Sequence, residues 1–74
     1  MKKLYVCRTR IGPFYIGTLD GLYYPIYDDE PLGGYSTPEM AVDDLAGGHT
    51  FSISNGVDTA TLGIPDELSE WERC

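Results

Sequence analysis

Seventy-four residues with a formal charge of −7 suffice for one small domain whose core takes up most of its apolar side chains. That excludes a deep substrate cavity, and it excludes the basic surface that phosphate backbones require. The charge is also segregated: Lys2, Lys3, Arg8 and Arg10 are opposed only by Asp20 up to residue 20, whereas from Gly21 onward Arg73 alone opposes every remaining carboxylate.

Leu4 to Ile11 alternates and predicts a first strand, with Leu4, Val6 and Arg8 on one face and Tyr5, Cys7 and Thr9 on the other. Gly12-Pro13 punctuates it, and Phe14 to Leu19 resumes as a second, aromatic and β-branched strand. Asp20-Gly21 then reads as a hairpin turn into a third strand, Leu22 to Tyr27, because both central residues of a type I′ turn need positive φ. Pro25 within that strand lacks a ladder donor, which points to an edge position or a bulge. Asp28-Asp29-Glu30-Pro31 forms the next turn, and Leu32 to Tyr35 is a short last strand or an extended approach to a helix.

Thr37-Pro38-Glu39 is a helix start: a hydroxyl cap, a proline where its missing N–H costs nothing, and an acid in the positive first turn. Ala41, Val42, Leu45 and Ala46 recur at helical spacing, and Gly47-Gly48 supplies a left-handed stop. The helix is therefore expected from Pro38 to Ala46. Asp43 and Asp44 sit toward its C-terminal end, where the macrodipole disfavours negative charge.

Beyond the glycines two readings compete. In one, Asn55-Gly56 turns a late hairpin between His49 to Ile53 and Val57 to Leu62; in the other, Phe51 to Ile53 is an isolated strand and Asp58 to Gly63 is a loop or single helical turn capped by Asp58. Pro65 to Glu72 reads as a short acidic helix with Leu68 and Trp71 on one face. The expected fold class is thus α+β: a three- to four-stranded antiparallel sheet, one helix packed on a face, and a short C-terminal helical segment closing an edge. The expected core is Leu4, Val6, Phe14, Ile16, Leu22, Ile26, Ala41, Val42, Leu45, Phe51, Ile53 and Leu62.

No catalytic, metal or cofactor signature emerges. His49 is the single histidine and stands in no nucleophile motif, and the acids lack the alternation and central glycine of a calcium loop. Cys7 and Cys74 lack the close spacing of a metal or redox pair, so one is expected half-buried and the other exposed. Arg8 and Arg10 break the apolar run that a secretory signal needs, and no segment approaches the ~20 apolar residues that span a bilayer. A cytoplasmic protein with reduced thiols and no membrane contact follows.

Phe14 to Ala46 resembles the sheet-plus-helix plan of integrase arm-binding and plant AP2-type domains. Those families present basic strand residues to DNA. Asp28, Asp29 and Glu30 occupy the comparable turn here, so DNA contact does not carry over with the plan. The expected function is instead a non-enzymatic interaction module whose acidic surface meets a protein partner with a basic surface. Its contact residues are Tyr27, Asp28, Asp29, Glu30, Tyr35, Asp43 and Asp44, since tyrosine is a frequent contact residue at protein interfaces. Two alternatives stand beside it: an acidic mimic of nucleic acid that inhibits a nucleic-acid-binding protein, and a small enzyme or metal-binding protein using His49.

Overall fold

The computed structural model describes residues 1–54 and 56–74. Three long strands, β1 (Lys2–Thr9), β2 (Gly12–Leu19) and β3 (Leu22–Tyr27), follow one another as antiparallel neighbours, and β4 (Glu30–Pro31) extends the sheet beyond β3. The chain then enters α1 (Pro38–Gly47), makes single 3-10 turns at Thr59–Thr61 and Leu68–Glu70, and returns as β5 (Glu72–Arg73) against the outer edge of β1. The sheet order is β4-β3-β2-β1-β5. Among the described residues it has five strands rather than three or four, because β4 and β5 are two-residue strands defined by what they pair with, not by a pattern of their own.

The turns follow the local chemistry. Asp20 and Gly21 have φ of 53° and 80°, the paired positive values of a type I′ hairpin, and Asp28 and Asp29 make the same turn at 52° and 63° without a glycine. Aspartate tolerates this left-handed region better than most side chains do.

Pro25 lies inside the sheet, paired with Ile16, rather than at an edge. Its carbonyl accepts from Leu32 N at 2.7 Å, so its backbone nitrogen faces the β4 side, and the Leu32 carbonyl that Pro25 cannot serve accepts from Phe51 N at 3.1 Å. The missing donor thus ties the chain after α1 to the sheet. Past that point the pairing slips by one residue, from Ile26↔Pro31 to Tyr23↔Tyr35. Gly33, with φ of 132°, lies within the bulge, which is why only Tyr35 of the expected Leu32 to Tyr35 strand pairs.

The helix forms as its signals predict. Thr37 Oγ1 accepts from Met40 N at 3.2 Å, Pro38 opens the first turn, and Gly48 closes the helix at φ 77° with its N–H on the Leu45 carbonyl. Its buried stripe of Ala41, Val42 and Leu45 lies over Phe14 and Ile16 of the sheet, with Leu32 beside them and Ile53, Ile64 and Trp71 completing the core.

Of the expected core, Val6 and Ile26 are buried as read, whereas Leu4 and Leu62 are only half-buried and Leu22 and Phe51 are exposed. A bulge between Lys3 and Tyr5 resets the alternation of β1. Past the bulge the expected alternation holds, but it is Tyr5 and Cys7 that lean on the main core, while Val6 is buried on the opposite face of the sheet, across from Tyr15, and Leu4 is only half-buried. Ile26 is buried on that same opposite face, and Leu22 is exposed. Phe51 is 73% exposed, because no strand forms there to impose alternation and its N–H is drawn onto Leu32.

Among the described residues neither Phe51 to Ile53 nor Val57 to Leu62 is a strand. Asn55, half of the expected hairpin turn, lies outside the described residues. Asp58 caps the Thr59–Thr61 turn, its Oδ1 accepting from Ala60 N at 2.9 Å, and buried Thr59 donates to the Leu45 carbonyl at 2.7 Å. The acidic tail keeps only one 3-10 turn instead of a helix from Pro65 to Glu72. Trp71 must point into the core, its indole N–H donating to the Pro65 carbonyl at 3.2 Å, while Glu72 and Arg73 are extended against Val6 and Tyr5.

Candidate functional site

Five of the seven expected contact residues lie at the two ends of β3, and the other two, Asp43 and Asp44, lie on α1. Asp28, Asp29 and Glu30 form its outer turn, next to Tyr27, whereas Tyr35 pairs with Tyr23 near its start. Tyr23 and Asp28 are five residue steps apart along the strand, roughly 16 Å.

Tyr27 faces the core. Its ring stacks on Phe14 at 4.7 Å, and its hydroxyl donates to the Ile11 carbonyl at 2.9 Å, so it supports the turn from beneath. Tyr35 is half-buried and its hydroxyl is bonded to the Asp44 carboxylate. Burial first, and then the bonded, negatively charged Asp44, push its pKa from 10.0 up to about 12. The Asp44 carboxylate, although disfavoured by the helix dipole, therefore has a structural bond to make. Asp43 is exposed beside a hollow of about 310 Å³ that also includes Asp66, Ile64 and Pro65.

The Tyr35–Asp44 pair has a measurable signature. Below pH 10 the hydroxyl is protonated in both folded and unfolded chains; between about 10 and 12 the unfolded chain loses this proton first, so stability falls as pH rises through that window. Denaturant titrations across it should show a shallower decline in Tyr35→Phe than in the native chain. Parallel declines would remove the Tyr35 contribution.

Asp28, Asp29 and Glu30 project from the tip as exposed carboxylates. Behind them, the sheet face opposite α1 carries Val6, Tyr15, Gly17, Tyr24 and Ile26. Among the described residues no further layer of helix or strand covers it. Long side chains from β1 and the residue before it do so instead. Met1 and Ile26 so crowd Gly17 that an added Cβ would come within 2.8 Å of Met1 and 2.7 Å of Ile26. Lys3 spans the same face: its Nζ sits 4.5 Å from the centre of the Tyr15 ring and 3.4 Å from Asp29 Oδ1.

Two hollows flank that lysine. One, of about 390 Å³, is lined by Ile11, Pro13, Tyr15, Tyr27 and Asp28, and the other, of about 240 Å³, by Met1, Ile26 and Pro31; Lys3 and Asp29 line both. Composition and strand pattern brought the acids and Tyr27 into view but missed Lys3 and Tyr15. The missing signal is the bulge at Leu4, which puts Lys3 on the same face as Val6 despite their odd spacing.

His49 is exposed just past the helix stop, and its backbone N–H bonds the Asp44 carbonyl at 2.8 Å. Cys7 is half-buried against the core, where burial pushes its pKa up, and Cys74 is exposed. Among the described residues no group of three or more His, Cys, Asp or Glu side chains converges to hold a metal, and no helix is long and apolar enough to cross a membrane. Compared with protein-family models, curated proteins and solved structures, the chain finds no match, so no relative supports or opposes the sheet-plus-helix resemblance.

Proposed function

We propose that the protein is a small cytoplasmic, non-enzymatic interaction module that binds a basic surface on a protein partner. The observation that carries this reading is the state of its carboxylates: all but Asp44 are exposed, and among the described residues ion pairs engage only Asp29, with Lys3, and Glu72, with Arg8. A field of unneutralised charge steers a complementary partner and repels phosphate backbones. The thiols of Cys7 and Cys74, both free, suit a reducing compartment.

The test is a binding titration of a captured partner at several salt concentrations. Affinity should fall steeply as the Debye length shrinks from about 10 Å at 0.1 M toward about 3 Å at 1 M. It should also fall on charge reversal at Asp28, Asp29 and Asp43. Binding that ignores both changes would remove the electrostatic premise, and displacement of the partner by a short DNA duplex would assign the surface to nucleic-acid mimicry.

A further inference from the structure

We infer that the groove bridged by Lys3 is the docking site for a lysine- or arginine-bearing segment of a partner protein, and that Lys3 occupies it in the free protein as a stand-in for the partner's cation. The inference rests on the proposed basic partner and names where that partner binds.

A cation site for a protein side chain needs a negative group to neutralise it, an aromatic face to hold it, and apolar walls for the alkyl stem. All three meet here. The Lys3 ammonium is 3.4 Å from Asp29 and 4.5 Å from the Tyr15 centroid, which shows that an alkylammonium fits between them. Asp28 stands next in the turn, and Ile26, Pro31 and Met1 on one side, with Pro13 and Ile11 on the other, line the hollows along which neighbouring residues of a partner could lie.

Charge complementarity selects the occupant. The turn supplies Asp28, Asp29 and Glu30 against one lysine, leaving net negative charge even with Lys3 in place. The Asp29 side chain is 90% exposed, so its pairing with Lys3 is held weakly and can be exchanged. An incoming cation, accompanied by apolar contacts in the two hollows, replaces an interaction that the free protein already makes. Lys3 thereby acts as an internal competitor.

That role gives an effect of unusual sign. Acetyl-Lys-Leu-Lys-amide, titrated against the labelled full chain and followed by amide chemical shifts, should perturb Tyr15 and Ile26 to Asp29 most; acetyl-Glu-Leu-Glu-amide should not. Lys3→Met should tighten the basic peptide by about threefold or more, the scale of one exposed cation–π contact. Lys2→Met, which changes net charge equally but leaves the site filled, should not. Tyr15→Leu and Asp29→Asn should weaken binding by a similar factor, and asparagine keeps the left-handed turn accessible.

Equal tightening by Lys3→Met and Lys2→Met, or shifts spread over Asp43, Asp58 and Asp66, would overturn the placement while leaving a basic partner standing. Loss of the salt dependence described above, with the peptide still bound at Tyr15, would overturn the wider reading instead.

Discussion

Phe14→Ala is expected to destabilise the protein by about 3–5 kcal/mol, the usual cost of emptying a fully buried aromatic site. Phe14 is completely buried, stacks on Tyr27 at 4.7 Å and lies in the core that α1 covers. A chain of this length has a total stability of roughly 4–11 kcal/mol, so the variant should lose between about a quarter and all of it, and its urea midpoint should fall accordingly. Urea denaturation monitored by circular dichroism reads the effect directly. Phe14→Leu, which keeps most of the volume, should retain a cooperative transition; a Phe14→Ala loss below about 1 kcal/mol would mean that the Phe14–Tyr27 stack is peripheral to the fold.

Trp71→Ala is expected to cost a similar amount, about 3–5 kcal/mol, but by a different route. The indole is 6% exposed and anchors the end of the chain twice, by burial in the core and by its N–H on the Pro65 carbonyl. The next two residues form β5, so loss of the anchor should also release the pairing of Glu72 with Val6 and the Arg8–Glu72 ion pair. Hydrogen exchange should show this, with protection lost first at Val6 and Cys74. Trp71→Phe separates the two anchors, since it keeps most of the burial and loses about 0.5–1.5 kcal/mol with the hydrogen bond. If alanine leaves exchange at β1 and β5 unchanged, the tail is held by backbone pairing alone.

The parts of the fold legible in the sequence are those written in a few adjacent residues. Asp20-Gly21 carries its own turn geometry, Thr37-Pro38 its own cap, and Gly47-Gly48 its own stop, so the β2–β3 hairpin and α1 can be placed from pattern. The second half of the chain was less legible because its conformation is imposed from outside. Phe51 turns outward because Leu32 claims its N–H, Ile64 is buried without any periodic signal, and Glu72 and Arg73 become a strand only because β1 is there to pair with. The same division holds at the candidate site. The acidic turn was visible, whereas the Lys3–Tyr15–Asp29 arrangement depends on a single bulge residue, Leu4, that shifts the phase of one strand.

The pairing of Tyr5 with Arg73 and of Val6 with Glu72 joins opposite ends of the chain, and Cys74 N bonds the Leu4 carbonyl at 3.1 Å. Contacts so distant in sequence must pay for loop closure before they return any stabilisation, so they should form late in folding. During synthesis, residues 72–74 emerge from the ribosome well after β1, β2 and β3. Until they do, the nascent sheet keeps an unprotected border along β1, and that interval is when association with other unfinished chains is most easily begun.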